Sequence, residues 1–303
     1  MRRVSSIMRN PEPNETDVMR YLILSDIHAN VTSLEAALAA VEGKWDRVIC
    51  LGDVVGYGPD PNEVVDKIRA LDAITIRGNH DKAGSGLEDA ADFNPVARAV
   101  ALWTREKLTP DNLDYLQKLP TGPLELDGMS FVHGALRDED EYVFTQAQAL
   151  EGLLEAPLPV TFFGHTHLQG GFILDETNVE VVRLKVPQGV GSAKIDIVDG
   201  KTYLLNPGSV GQPRDGDPRA GFAIAELSNH SVEFWRVPYE VSAVQERMTR
   251  AGLPEPLIAR IAFDAEPSKG RRGCPVISKE KKKAHSRLRL ELGLWWCCCW
   301  WAA

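Results

Sequence analysis

Residues 21–30, YLILSDIHAN, decide how the rest of the chain is read. Four apolar residues fit a buried strand, and the run breaks at Ser25 into Asp26, Ile27 and His28. A strand that ends this way delivers two metal-ligand side chains at its carboxyl end. The same grammar recurs further on: VICL before Gly52-Asp53, ITIR before Gly78-Asn79-His80-Asp81, SFV before His133-Gly134, and VTFF before Gly164-His165-Thr166-His167. Ligand sites of α/β sheets lie beyond the carboxyl ends of strands, where loops turn outward. Glycines 52, 78, 134 and 164 suit a crowded place where backbone turns sharply or approaches closely.

Outward from these runs the first half of the chain alternates strand and helix. Residues 21–25 form the first strand, and Thr32-x-x-Glu35 reads as a capping box before Leu34, Ala37, Leu38 and Val41 at helical spacing. Residues 48–51 form the second strand, Pro61 opens a helix as a first-turn proline, and residues 74–76 form the third strand. This βαβαβ order predicts parallel strands with helical crossovers. Residues 95–118 read as helix with a break at Pro110. After Pro120 shorter strands follow at 129–132, 160–163, 179–186, 194–198, 202–205, 222–227 and 232–237, and residues 240–262 read as a closing pair of helices. The expected fold is α/β, a two-sheet β-sandwich flanked by helices, in a single domain over residues 19–267.

The ends have a different texture. Residues 1–18 are polar and unpatterned, and are expected to be a disordered extension, with Met19 as an alternative translation start. Residues 268–303 combine a lysine-rich run with a Trp/Cys-rich end, and are expected to be a disordered tail. They hold nine basic residues against two acids, so the body is more acidic than the net charge of −9 for the whole chain. Such a body is a poor electrostatic match for duplex nucleic acid or an anionic membrane. No apolar run reaches the length of a membrane span, and the N-terminus has no apolar signal core. Five cysteines, three of them adjacent, do not make a disulfide framework, and cytoplasm is the expected compartment.

The chemistry lies in the recurring strand ends. Each has an ordinary reading taken alone: a loop cap for Asp26-x-His28, a strand-to-turn dipeptide for Gly52-Asp53, a turn for Asn79-His80-Asp81, a core histidine for His133. Gly164-His165-Thr166-His167 is the most specific, because one loop presents two imidazoles. Together the five deliver carboxylate, amide and imidazole donors and no thiolate, a set that suits Mn, Fe, Zn, Co or Ni better than Ca.

In their order, these blocks resemble the calcineurin-like metallophosphoesterases over most of residues 19–240. The segments LGDVVGYGPDPNEV (51–64) and NPGSVGQPRDGDPRAG (206–221) resemble the small bacterial phosphodiesterase-like branch. The resemblance implies two divalent metal ions, manganese first among the candidates. Asp26, His28 and His167 would bind one ion, Asn79, His133 and His165 the other, and Asp53 would bridge them. His80 would be no ligand but would lie over the scissile phosphate and assist the leaving group. The implied reaction is hydrolysis of a phosphodiester by in-line attack of a metal-bridging hydroxide. Gly52-Asp53-Val54-Val55 runs into Gly56-Tyr57, without the Asp-Arg pair with which Ser/Thr protein phosphatases continue this motif, and Gly56 stands where purple acid phosphatases carry a tyrosine ligand.

Arg214 and Arg219 lie in the late Gly- and Pro-rich segment, where Arg214 reads either as a substrate-phosphate contact or as a solvated turn residue. Trp103, Trp235 and Tyr142 are expected to be packing aromatics and Cys50 a buried thiol. The expected partner is a small phosphoester or nucleotide-like substrate, with no membrane and no duplex nucleic acid, and a homo-oligomer is left open. A phosphomonoesterase or a non-catalytic scaffold with this fold are the alternatives.

Overall fold

The computed structural model describes residues 19–262. The expectations for residues 1–18 and for the tail from 268, like the domain end at 267, fall outside that range. In chain order the first half holds β1 (Tyr21–Leu24), α1 (Val31–Ala40), β2 (Arg47–Cys50), α2 (Pro61–Ala70), β3 (Ile74–Thr75), α3 (Asn79–Ser85), α4 (Pro95–Lys107) and α5 (Pro110–Gln117). There follow β4 (Leu124–Leu126), β5 (Met129–Phe131), α6 (Gln146–Glu155), β6 (Val160–Phe162), β7 (Gly170–Asp175) and β8 (Asn178–Val182). The last are β9 (Gly191–Asp196), β10 (Thr202–Asn206), β11 (Ala220–Glu226), β12 (Ser231–Val237), α7 (Val241–Arg250) and α8 (Glu255–Arg260).

Two six-stranded sheets pack together, ordered β3-β2-β1-β11-β12-β9 and β4-β5-β6-β10-β7-β8. Each is built on a parallel triplet, β3-β2-β1 in one and β5-β6-β10 in the other, with antiparallel strands completing it. The fully apolar reading of residues 21–24 follows from burial on both faces. Tyr21 and Ile23 join Ile49, Phe131, Phe162 and Phe234 between the sheets, whereas Leu22 and Leu24 pack outward with Leu34, Val64 and Ile68 under α1 and α2. The two-sheet sandwich with outer helices is therefore the observed architecture. Among the described residues no helix is long and apolar enough to cross a membrane.

Local differences have local causes. The cap of α1 is Asn30 and not Thr32: Asn30 Oδ1 accepts from Ser33 N at 3.1 Å, while its Nδ2 donates to Gly211 O at 3.0 Å. The helix thus begins earlier than the expected capping box, and Glu35 pairs with Lys67 at 2.7 Å instead. The actual capping box is Thr145 with Gln148, at the head of α6, an element absent from the sequence reading. The strand expected at 179–186 is shorter, and it pairs with β7, a strand absent from the sequence reading. Pro110 breaks the 95–118 helix as expected, with Thr109 capping α5.

Candidate metal centre

All five loops leave the carboxyl ends of β1, β2, β3, β5 and β6 and meet at one end of the sandwich. The strand pairing continues into them: Asp26 N donates to Gly52 O at 3.1 Å, His28 N to Asp53 O at 2.9 Å, and Gly164 N to His133 O at 2.8 Å. Asp26, His28, Asp53, His165 and His167 all have φ between 49° and 63°. Each such non-glycine residue costs on the order of 1 kcal/mol or more, and clustering of this strain marks a functional site. Gly78 admits no side chain, since a Cβ there would lie 2.2 Å from Asp53 Oδ1.

Three residues with no assigned role in the sequence reading hold this geometry. Buried Asp81 accepts from Val55 N at 3.1 Å and Gly78 N at 3.0 Å, stapling the loop after β2 to that after β3. Asn206, the last residue of β10, donates to Gly164 O and Thr166 Oγ1, both at 2.9 Å, and so holds the His165–His167 loop. Ser209 Oγ donates to Asp26 O at 2.7 Å. Only the burial of these short polar side chains reveals such roles, and single-sequence reading does not supply it.

Donor atoms of Asp26, His28, Asp53 and His167 lie within 4.8 Å of one another, as do those of Asp53, His133 and His165, so that Asp53 belongs to both groups. Each of the four imidazoles is fixed by a backbone carbonyl at its other nitrogen. His28 Nδ1 donates to Val55 O at 3.1 Å, His133 Nδ1 to Leu51 O at 2.8 Å, His167 Nδ1 to Gln212 O at 2.6 Å, and His165 Nε2 to Asp140 O at 3.0 Å. A carbonyl only accepts, so the proton sits on those nitrogens and the opposite ones carry lone pairs, the arrangement found behind metal-bound histidine.

The Nε2 atoms of His28 and His167 then face each other at 3.1 Å as two lone pairs, which only a proton or a cation between them makes favourable. Asn79 Oδ1, His133 Nε2 and His165 Nδ1 are buried and make no hydrogen bond among the described residues. This donor set fits divalent cations. Burial pushes His28, His165 and His167 well below the usual histidine range, with Arg214 and neighbouring histidines adding to it, so these imidazoles are neutral at neutral pH. Burial likewise raises Asp26 to about 7 and Asp53 well above the carboxylate range, a cost that a bound cation offsets.

His80 differs from the four clamped histidines. Its backbone N–H donates to Asp53 Oδ1 at 2.9 Å, but no hydrogen bond among the described residues holds its ring. The ring instead packs between Tyr57 (4.3 Å between centroids), Phe93 (4.8 Å) and the edge of His28 (5.0 Å). It lines a cavity of about 560 Å³ together with Tyr57, Asn79, Phe93, Tyr142 and His165. Tyr142, expected to be a packing aromatic, is part of the site: its ring stacks on His165 at 3.8 Å.

Arg214 is half-buried above Tyr57, with Nη2 at 3.5 Å from the Tyr57 hydroxyl and 3.4 Å from Gln212 Oε1. It has no carboxylate partner among the described residues. Arg219 is engaged with Asp217 at 2.9 Å and with the carbonyls of Pro187 and Gly189, so of the two arginines it is Arg214 that faces the site. Trp235 and Cys50 lie in the core as expected, and Trp103 is packed against an outer cluster.

The calcineurin-like phosphoesterase superfamily domain matches residues 19–230. An uncharacterized protein of Methanocaldococcus jannaschii is 32% identical over 243 residues, covering 79% of this chain and 96% of its own. The crystal structure of a metallophosphoesterase from Sphaerobacter thermophilus is 39% identical and superposes with a TM-score of 0.69, covering 82% of this chain and all (100%) of that one. A hypothetical protein from Pyrococcus horikoshii, 20% identical with a TM-score of 0.65 over 80% of this chain and 97% of its own, shares the fold. With the strand-end donors gathered as that fold requires, the chain belongs to the calcineurin-like phosphoesterase superfamily, as a metal-dependent phosphoesterase.

Proposed function

We propose that the protein is a phosphodiesterase with a dinuclear centre, in which Asp26, His28 and His167 hold one ion, Asn79, His133 and His165 the other, and Asp53 is shared. The observation that carries this is the membership of Asp53 in both donor groups, with buried lone pairs facing inward from either side. Manganese suits the mixed oxygen and nitrogen donors. When bound, divalent cations supply Lewis-acid polarisation of a phosphoryl oxygen and a water of lowered pKa.

The chain's own groups do the remaining work. The backbone N–H of His80 orients the Asp53 carboxylate, and its ring, which makes no hydrogen bond among the described residues, serves the phosphoryl or leaving-group oxygen. Arg214, which has no carboxylate partner among the described residues, offers its guanidinium to a non-bridging phosphate oxygen. The cavity beside His80, walled by Tyr57, Phe93 and Tyr142, has room for the second ester group of a small or nucleotide-like diester. The test is hydrolysis of bis(p-nitrophenyl) phosphate against p-nitrophenyl phosphate, with Mn²⁺ and with chelator. Chelator-sensitive preference for the diester is expected. A preference for the monoester would make the protein a phosphatase on the same machinery.

A further inference from the structure

The four imidazoles of the centre are clamped alike, but the clamps themselves are not held alike. The carbonyls that fix His28, His133 and His167 belong to Val55, Leu51 and Gln212, all of them buried residues. The carbonyl that fixes His165 belongs to Asp140, whose side chain is 44% exposed. Residues 132–145 contain no helix or strand, so no ladder of backbone hydrogen bonds holds that carbonyl in place.

A buried lysine holds it instead. Lys82, three residues after Asn79 on α3, keeps only 3% of its side chain exposed. Its Nζ donates to Asp140 Oδ2 at 2.6 Å and to Glu139 Oε1 at 3.1 Å, and pairs with Glu88 Oε1 at 3.0 Å. Glu139 is gripped in addition by Arg77, at 2.7 Å, and by the Thr121 hydroxyl, at 2.6 Å. The loop also closes on its own start, since a Cβ on Gly134 would lie 2.6 Å from Glu139 O and 2.7 Å from Glu141 O. Burial lowers Lys82, but its hydrogen bonds to Asp140 and Glu88 outweigh this and carry it above the usual lysine range, so the side chain is charged. An ion pair between exposed side chains contributes little, whereas a lysine buried under the loop confines Asp140 to one place.

The three donors of the second cation group all meet this lysine: Asn79 through α3, His165 through Asp140 O, and His133 through the loop that begins at Gly134. The clamps of His28 and His167 lie on other segments. We propose that Lys82 is the positioning residue of the second cation site: by holding Asp140 it keeps the proton of His165 on Nε2 and leaves Nδ1 to the ion. The proposal rests on the dinuclear reading and adds that the two cation sites depend on different supports.

The test is calorimetric titration of the metal-free full chain with Mn²⁺. Where the parent binds two ions, Lys82→Met is expected to weaken one of them by about 10–100-fold, the usual cost of losing an outer-shell partner, and to leave the other within about twofold. Asp140→Ala is expected to weaken the same ion, with the double variant little worse than either single one, because both break one contact. Lys82→Arg should recover most of the affinity, and thermal midpoints confirm that the variants fold. To assign the ion, Lys82→Met is repeated on a chain carrying His133→Ala, which leaves the first donor group intact; the Kd of the remaining ion is expected to stay within about twofold. Equal weakening of both ions, a loss of the ion held by the first group, or a lowered thermal midpoint with both affinities kept would overturn the proposal. A single ion in the parent defeats the dinuclear reading itself, and the proposal with it.

Discussion

The floor of the site, where Asp26, His28, Asp53, His133, His165 and His167 meet, is set by strand ends; its rim, with Tyr57, Tyr142 and Arg214, is set by loops. On the floor every imidazole is locked by a backbone carbonyl, and the carboxylates are locked by backbone N–H groups such as that of His80 on Asp53. On the rim the contacts of Arg214 are long, at 3.4 and 3.5 Å. A rigid floor suits coordination, which tolerates little displacement, whereas a loosely held rim suits recognition of a substrate that arrives with its own hydrogen-bonding groups. Chemistry and specificity are thus carried by structurally separate parts of one site.

Substitutions on either side break or sharpen this contrast. The largest effect is expected from Asp53→Asn, which weakens both halves of the floor: metal content and turnover should fall together, measured by elemental analysis and diester hydrolysis on the same sample. His80→Ala should keep its metals and lose about 10²–10⁴-fold in kcat, the range for one acid–base group. Loss of metal in that variant would place His80 on the coordinating floor. Arg214→Gln should lower kcat/KM by about 10–100-fold, as expected for a charged hydrogen bond of about 1.5–3 kcal/mol, with metal content and thermal midpoint near those of the parent. The smallest change is expected for Tyr142→Phe, which keeps the stack on His165 and removes only the hydroxyl. An effect within about threefold on bis(p-nitrophenyl) phosphate fits a residue that contributes mainly through its ring, whereas a collapse of activity would move Tyr142 from the rim into the chemistry.

The floor was legible in the sequence because its two determinants are local. A run such as YLIL announces a strand buried on both faces, and the residues that follow it, Asp26 and His28, are delivered by the turn that ends it. The rim was less legible because its members come together through packing between distant segments. Tyr142 reads as one more packing aromatic until the loop after β5 folds over His165. Local readings failed where two signals competed for the same residues. The turn that Asn79-His80-Asp81 suggests when taken alone is the first turn of α3, where Asp81 accepts from Gly78 N. Thr32 looked like a cap, but Asn30 was already fixed by Gly211, and the Thr32 hydroxyl instead receives Arg247.

The central claim is that one shared carboxylate joins two cation sites on the floor. Its most direct test is the number of Mn²⁺ ions bound per chain at saturation, by calorimetric titration of the metal-free protein checked by elemental analysis. Two ions per parent chain, and at most one per chain of Asp53→Asn, are the expected result. A single ion in the parent, or two ions retained without Asp53, would contradict it.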